Sequence, residues 1–441
     1  MTEPSVTAAG LKRGVRLIDV IMLGAGTAIG AAIFTVLGPA AQVGGSGILI
    51  ATALAAVPMG LFALVYAYLS STAPRTAASY EWQRQFTSPS LAFAIVWMRV
   101  LSNAVVMIVL ARVLTNYLSM VVDFPATPAI LAMFAAIFAL NYVGVAVAAR
   151  AQTILMFLLL GALAVFVAAA APSFRPALFV EAAEGGLLPI VAALPLMIQL
   201  FLGIETATEV GEEVADAKRV VPLGMAGALA LTVFVYLTVT FAALSLVGPQ
   251  VLAGSTAPLL DAAKVALGPF ATPLIVTAAV FALAKSMNAV FLVYARFLFA
   301  MGRTGVLPSA LGAVHPRFGT PHVATIVAFC ACVAAVFLPS SLLFLLLAVN
   351  VPTMMKYMGT CLAAFSVARN HPEVHAEARL RFSRATVQVL SALGVLAAVG
   401  IAALGLETDR RPYALLLAWL VIGLLWYAWT TRKGRGAAAT A

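Results

Sequence analysis

Long apolar stretches, rather than alternating ones, organise this sequence. Runs of 18 or more mostly apolar residues recur from Leu17 to Thr430, each long enough to cross roughly 30 Å of hydrocarbon as a helix. Closed barrels also satisfy their backbone in lipid, but through alternating segments of about ten residues. Runs such as Ile154 to Ala171 do not alternate. The pattern therefore predicts an all-α integral membrane protein with 12 transmembrane helices. They fall near residues 17–43, 47–72, 90–120, 126–147, 151–172, 187–212, 222–247, 266–302, 322–339, 341–368, 386–406 and 413–431. The polar segments between spans are short, the longest being about 17 residues between Arg369 and Ala385, which leaves no room for a soluble catalytic domain.

Composition agrees: the 441 residues are 63% hydrophobic and 10% charged, far from the balance of a soluble domain. The net charge of +10 raises the question of a nucleic acid partner, and the placement of the basic residues answers it. With the N-terminus cytoplasmic, that side holds 17 lysines and arginines, and the opposite side only Arg175, Lys264, Arg410 and Arg411. This positive-inside bias places both termini in the cytoplasm of a cell (inner or plasma) membrane and accounts for the basic balance without nucleic acid. The charged start runs into an apolar stretch too long for the h-region of a cleavable signal, so the first span is expected to stay. Cys330, Cys332 and Cys361 lie inside predicted spans and read as packing residues.

Two spans are interrupted. Span 1 contains Leu23-Gly24-Ala25-Gly26-Thr27-Ala28-Ile29-Gly30, and span 6 contains Phe201-Leu202-Gly203-Ile204-Glu205-Thr206-Ala207-Thr208. Glycine costs about 1 kcal/mol in a helix interior relative to alanine, and a carboxylate in mid-membrane costs more. Both segments are candidate breaks, at corresponding positions of two five-span halves, the arrangement expected of an inverted repeat with its site at the midplane. The predicted organisation is a cytoplasmic segment 1–16, five-helix repeats 17–172 and 187–368, helices 11 and 12 over 386–431, and a cytoplasmic tail 432–441. Small residues that merely let helices pack closely are the competing explanation.

A half-helix that starts in mid-membrane offers free N–H groups and a positive dipole end to a carboxylate. Unwound carbonyls and the other half's C-terminus suit an ammonium. An α-amino acid needs both, so glycine and alanine suffice to build a site for one.

The residues now support a resemblance. GAGTAIGAAIF, residues 24–34, resembles the span 1 signature of the amino acid-polyamine-organocation superfamily, commonly GxGIGxGIF. PRTAASY, residues 74–80, is similar to the PRxGGSY after span 2. GIETATEVGEEV with Lys218, Arg219 and Pro222 resembles span 6 and its GEEVxxPxRxxP loop, and MNAVFLVYARFLFAMGRTGVLP, residues 287–308, resembles the end of span 8. The lead-in LKRGVRLIDV is similar to the LARxLTxxDL of bacterial permeases related to cationic amino acid transporters. The resemblance implies a LeuT-like fold, with a 5+5 inverted repeat and two further helices, and secondary active transport of an amino acid by alternating access. It implies that a substrate carboxylate rests on the amides of Gly30, Ala31 and Ala32, beside Ile29. The amino group would then meet carbonyls near Ala28, Gln199 and Leu202. Ala31 and Ala32 replace the family's frequent serine or glycine. Gln199 stands where relatives place a gating aromatic, which leaves Phe201 or another residue for that role. Gly203 and Ile204 complete the span 6 side, and Asn103 on span 3 is a further pocket candidate.

Ionisable residues inside spans are functional candidates by default. Arg99, Arg112 and Arg296 read as snorkelling near span ends, and Glu209, Glu212 and Glu213 as a solvated helix end and its pairing network. Lys285 and Glu205 are the candidates for ion coupling. By the resemblance, Lys285 falls beside the span 8 positions that bind sodium in sodium-coupled LeuT-fold carriers, where an ammonium would repel Na⁺ and replace it. Proton-coupled relatives often carry a lysine on span 5 instead, where this chain has Leu158 and Leu159. A buried lysine can give up its proton, so proton coupling without sodium is expected, the alternative being a static lysine paired with Glu205 or a carbonyl. Lys356 reads as lining a cytoplasmic vestibule, with no role assigned.

No acidic residue but Glu205 is placed in the pocket, which favours a neutral L-amino acid. An exchanger, or a carrier of cationic amino acids or polyamines, is the alternative, and a sensor that binds without transporting shares every motif. No cofactor, metal site or enzymatic constellation is expected: HPEVH at 371–375 has i,i+4 histidines, but its proline and loop setting argue against zinc. The expected partners are the amino acid, protons and the lipid bilayer.

Overall fold

The computed structural model describes residues 14–30, 32–255, 257–337, 342–403 and 411–439, and among them there are helices, turns and no strands. Among the described residues, nine helical stretches are long and apolar enough to cross a membrane, and Leu17–Ala28 and His322–Ala335 are shorter apolar helices. A chain of this kind is a multi-pass membrane protein.

The first span is broken, as its glycines predict. Helix α1 (Leu17–Ala28) stops at Ile29, and the chain resumes as α2 (Ala32–Thr35) and α3 (Leu37–Gly44). Asp19 helps start α1 by accepting the Arg16 N–H at 3.1 Å. Helix α4 (Ile48–Thr72) leads to a short helix between spans, α5 (Ala78–Phe86), and then to α6 (Pro89–Leu118). Ser88 caps α6 by accepting the Leu91 N–H, with Pro89 in the first turn where its missing N–H costs nothing. Gly144 separates α7 (Ala126–Val143) from α8 (Val145–Ala170). After α9 (Ala177–Glu184), the sixth span begins as α10 (Leu187–Gln199) and ends early. The chain from Leu200 to Val214 runs in turns and short 3₁₀ segments, so the helix expected over 187–212 is about half as long as its hydropathy suggests.

Helix α11 (Ala217–Gly254) is kinked at Gly248, with Pro249 next, and is followed by α12 (Pro258–Leu267) and α13 (Ala271–Arg303). The span expected over 266–302 is thus α13, and α12 is a separate helix. Helices α14 (His322–Ala335), α15 (Leu342–Asn370), α16 (Pro372–Ala376), α17 (Arg384–Ala403) and α18 (Arg411–Ala439) complete the chain. The centre is built where α1 packs against α8, α11, α13 and the 3₁₀ segment 204–208. Many exposed side chains of α17 and α18, among them Val389, Leu396, Leu417 and Leu425, are apolar, as lipid contact requires.

Candidate functional site

Unwinding α1 frees backbone carbonyls, and the structure shows what takes them. The Gly30 N–H, which would close the helical bond to Gly26, turns to Ala28 O at 2.7 Å. Gly26 O instead accepts the Lys285 ammonium at 2.5 Å and the Ser286 hydroxyl at 3.2 Å. Lys285 also donates to Ile29 O. The ammonium sits at the negative end of α1, where carbonyls lack intrahelical donors. Ala28 O is capped by the Tyr236 hydroxyl of α11 at 2.6 Å. Lys285 is fully buried and makes no ion pair among the described residues. Its partners are carbonyl oxygens, not Glu205.

The two breaks face each other. Gly203 adopts φ +107°, a left-handed conformation that favours glycine, and a methyl there would lie 2.4 Å from Thr27 Cγ2. Phe201, fully buried, stacks edge-on against Tyr236 with ring centroids 5.5 Å apart, so one tyrosine touches both broken spans. Gly30, Ile29, Ile204 and Leu202 lie in this region, Ala32 opens α2, and Ala31 lies outside the described residues. The Gln199 side chain is exposed, and its carbonyl accepts from the Leu202 N–H at 3.4 Å.

A second cluster holds the span 6 break from the other side. Glu205 accepts from Lys356 Nζ at 2.7 Å, from the Tyr357 hydroxyl at 2.5 Å and from the Gly203 N–H at 3.1 Å. Lys356 Nζ also lies 3.8 Å from Glu209. Glu209 accepts the Ser79 N–H at 3.2 Å and the Ser79 hydroxyl, and Ser79 in turn meets Tyr66. Arg99 donates to Thr353 at 2.7 Å and to Asn103 at 2.7 Å, with Glu205 and Glu209 as its charged neighbours. Two cations and two carboxylates thus balance within one buried network, which ties α6 and α15 to the break and to α5. A small cavity of about 10 Å³, room for a water rather than a substrate, adjoins it, lined by Met59, Phe62, Ala63, Tyr66, Ile204, Glu205, Met225 and Tyr357.

Several expectations about charged residues are corrected. Arg99 is 8% exposed and does not snorkel. Arg296 is buried and bidentate to Glu213, with both contacts at 3.1 Å. Glu209 and Glu213 are fully buried rather than at a solvated helix end, because the Gly211–Glu213 segment folds back into the protein. Lys356 is 1% exposed and belongs to the break, not to an open vestibule. Tyr236, Tyr357, Ser79 and Asp19 also contribute contacts here, and a lone hydroxyl, or one carboxylate at a helix start, gives no sequence signal for them. His375 sits in a short helix and its Nδ1 meets the Tyr68 hydroxyl at 2.8 Å. No group of three or more potential metal ligands occurs among the described residues.

Comparison with known proteins adds to this geometry. The family model described as amino acid permease matches residues 15–425. An uncharacterized transporter of Mycobacterium tuberculosis (strain ATCC 25618 / H37Rv) is 33% identical over 322 residues, which is 72% of this chain and 72% of that protein. The branched-chain amino acid permease BcaP of Bacillus subtilis (strain 168) is 25% identical over 446 residues, covering 96% of this chain and 94% of its own. The methylthioribose transporter of the same organism is 25% identical over 393 residues, covering 84% and 85%.

Proposed function

Because this chain belongs to the amino acid permease family of the amino acid-polyamine-organocation superfamily, and is a transporter rather than an enzyme, we propose that it carries a neutral L-amino acid by alternating access, coupled to protons and independent of sodium. The proposed frame is a LeuT-like fold of two five-helix inverted repeats, residues 17–172 and 187–368, with twelve spans and both termini cytoplasmic.

The observation that carries the coupling is the Lys285 ammonium on the Gly26 and Ile29 carbonyls. An ammonium there repels Na⁺ from the oxygens a sodium ion would need, and it carries a removable proton. Neutrality of the substrate is supported by the balanced cluster: Glu205 is committed to Lys356, Tyr357 and Gly203, so it offers no spare carboxylate to a cationic side chain. The Bacillus subtilis relative is named as a branched-chain amino acid permease, which points the same way. On this reading the substrate carboxylate lies at Gly30, Ala31 and Ala32, and the side chain toward Asn103, Phe201 and Ile204.

The test is uptake of labelled leucine into proteoliposomes with and without an inward proton gradient, in sodium-free buffer. Accumulation that requires the gradient and is lost in Lys285→Ala supports the reading. Accumulation by Lys285→Ala with unchanged pH dependence sinks it. The engagement of Lys285 with two carbonyls also fits a static strut, which favours a second reading as an amino acid exchanger. Uptake that requires preloaded amino acid and ignores the proton gradient selects that reading.

A further inference from the structure

Lys285 needs a path for its proton, and two adjacent residues of α8, Gln152 and Thr153, reach α1 beside Gly26 and at Asp19. Asp19 and Gly26 are seven residues apart, two turns on the same face, and about 10 Å apart along the axis. Both face α8. Asp19 is 2% exposed and accepts the Thr153 hydroxyl at 2.8 Å. At Gly26 the absent side chain makes room for Gln152, whose Nε2 lies 2.3 Å from where a methyl would stand. Gln152 Oε1 meets Asn288 Nδ2 at 3.4 Å, and Asn288, one turn along α13 from Lys285, accepts from Asn141 at 2.9 Å. These three amides are fully buried or nearly so, yet Gln152 Nε2 and Asn141 Oδ1 have no hydrogen-bond partner. Unsatisfied polar atoms buried in a row are costly unless water reaches them.

We propose that Asp19 is the proton-exchange residue for Lys285, reached through a hydrated seam lined by Gln152, Asn288 and Asn141. The inference rests on the proton-coupled reading above. The transfer balances: the Lys285 ammonium gives its proton through water to the Asp19 carboxylate, leaving a neutral amine and a neutral carboxyl. Asp19 then gives the proton to water at the N-terminal end of α1, where the side chain of its ion-pair partner Arg16 is 70% exposed. The other charged groups around α1 are engaged elsewhere. From the segment 204–208, Glu205 faces Lys356; from α11, Tyr236 caps Ala28; on α13, Arg296 holds Glu213; on α8, Arg150 is exposed.

The experiment compares gradient-driven uptake with counterflow in proteoliposomes, because counterflow needs no net proton movement. Asp19→Asn is expected to lower gradient-driven uptake by roughly 10²-fold, the low end for a positioned proton-transfer group, with counterflow within about twofold of wild type. Asp19→Glu should restore the driven uptake and its pH profile. Gradient-driven uptake by Asp19→Asn within about twofold of wild type, while Lys285→Ala has lost it, overturns the route and leaves the coupling reading standing. Retained driven uptake in Lys285→Ala overturns the coupling reading itself. Should Asp19→Asn lose counterflow as well, Gln152→Leu decides: it leaves every ionisable group in place, and a normal rate and pH profile in that variant rejects the seam.

Discussion

Removing Lys356 should destabilise the protein more than its single ion pair suggests, because it strands two carboxylates. Lys356 Nζ lies 2.7 Å from Glu205 and 3.8 Å from Glu209, with all three side chains at most 6% exposed. At an effective dielectric of about 20, these distances correspond to roughly 6 and 4 kcal/mol of gross attraction, which desolvation largely offsets. What remains measurable is the cost of breaking the pair, about 3–5 kcal/mol when one partner of a buried pair is lost. Lys356→Met keeps the volume and removes the charge, so it isolates that term. Adding Glu205→Gln removes one stranded charge while leaving an acceptor for Tyr357 and the Gly203 N–H, and should recover about half of the loss or more. The assay is fluorescence-detected thermal unfolding of the purified protein, completed as a double-mutant cycle with Glu205→Gln alone. Equal losses in the single and double variants, or a Lys356→Met protein as stable as wild type, would refute the electrostatic account of this cluster.

Two further perturbations test other contacts. Gly203→Ala forces a methyl into a left-handed position against Thr27 and should abolish transport. Thr27→Ser removes the colliding Cγ2, so the double variant should regain activity but stay about 1–2 kcal/mol less stable, the residual backbone strain; uptake and melting of both variants check this. His375, outside the spans, has its imidazole pKa pushed down by partial burial and by Arg384. The unfolded chain therefore binds the proton first as pH falls, and the His375 contribution, full above the ordinary histidine value near 6.5, is lost on acidification. Melting at pH 7.5 and pH 5.5 should show a wild-type loss that His375→Gln lacks in part, and identical losses would rule it out.

How much was legible follows the range of the physics involved. The breaks at Gly30 and Gly203 were readable because glycine acts on its own backbone and hydrophobic length is a local count. Lys285 was singled out by its register with the MNA sequence, and its side chain meets the freed carbonyls of Gly26 and Ile29. The partner of Lys356 was not readable, since Glu205 lies 151 residues away and meets it only once α15 packs on the span 6 break. Arg99 and Arg296 were misread for a related reason. A long basic side chain near a span end is compatible with snorkelling or with burial, and the choice belongs to distant groups: Thr353 for one, Glu213 for the other. The GEEV run looked like a solvated helix end because two adjacent glutamates seldom enter a core. The structure admits Glu213 only because Arg296 arrives from α13, and leaves its neighbour Glu212 to Arg303 nearer the surface.

The distribution of these buried charges separates two candidates for coupling that the sequence left side by side. Glu205 sits in a balanced network, so protonating it breaks an ion pair and leaves Lys356 with only Glu209 at 3.8 Å, a cost of the order of 3–5 kcal/mol. Lys285 is held by carbonyl oxygens alone. Losing its proton strands no opposite charge and weakens hydrogen bonds from a charged donor, worth about 1.5–3 kcal/mol each. The carbonyls it releases belong to the broken span where the proposed substrate binds, so deprotonation there can be felt directly as a change in substrate affinity. On the proposed reading Lys285 is therefore the group that titrates within the cycle, and Glu205 is the strut that keeps the span 6 break in shape while it does so.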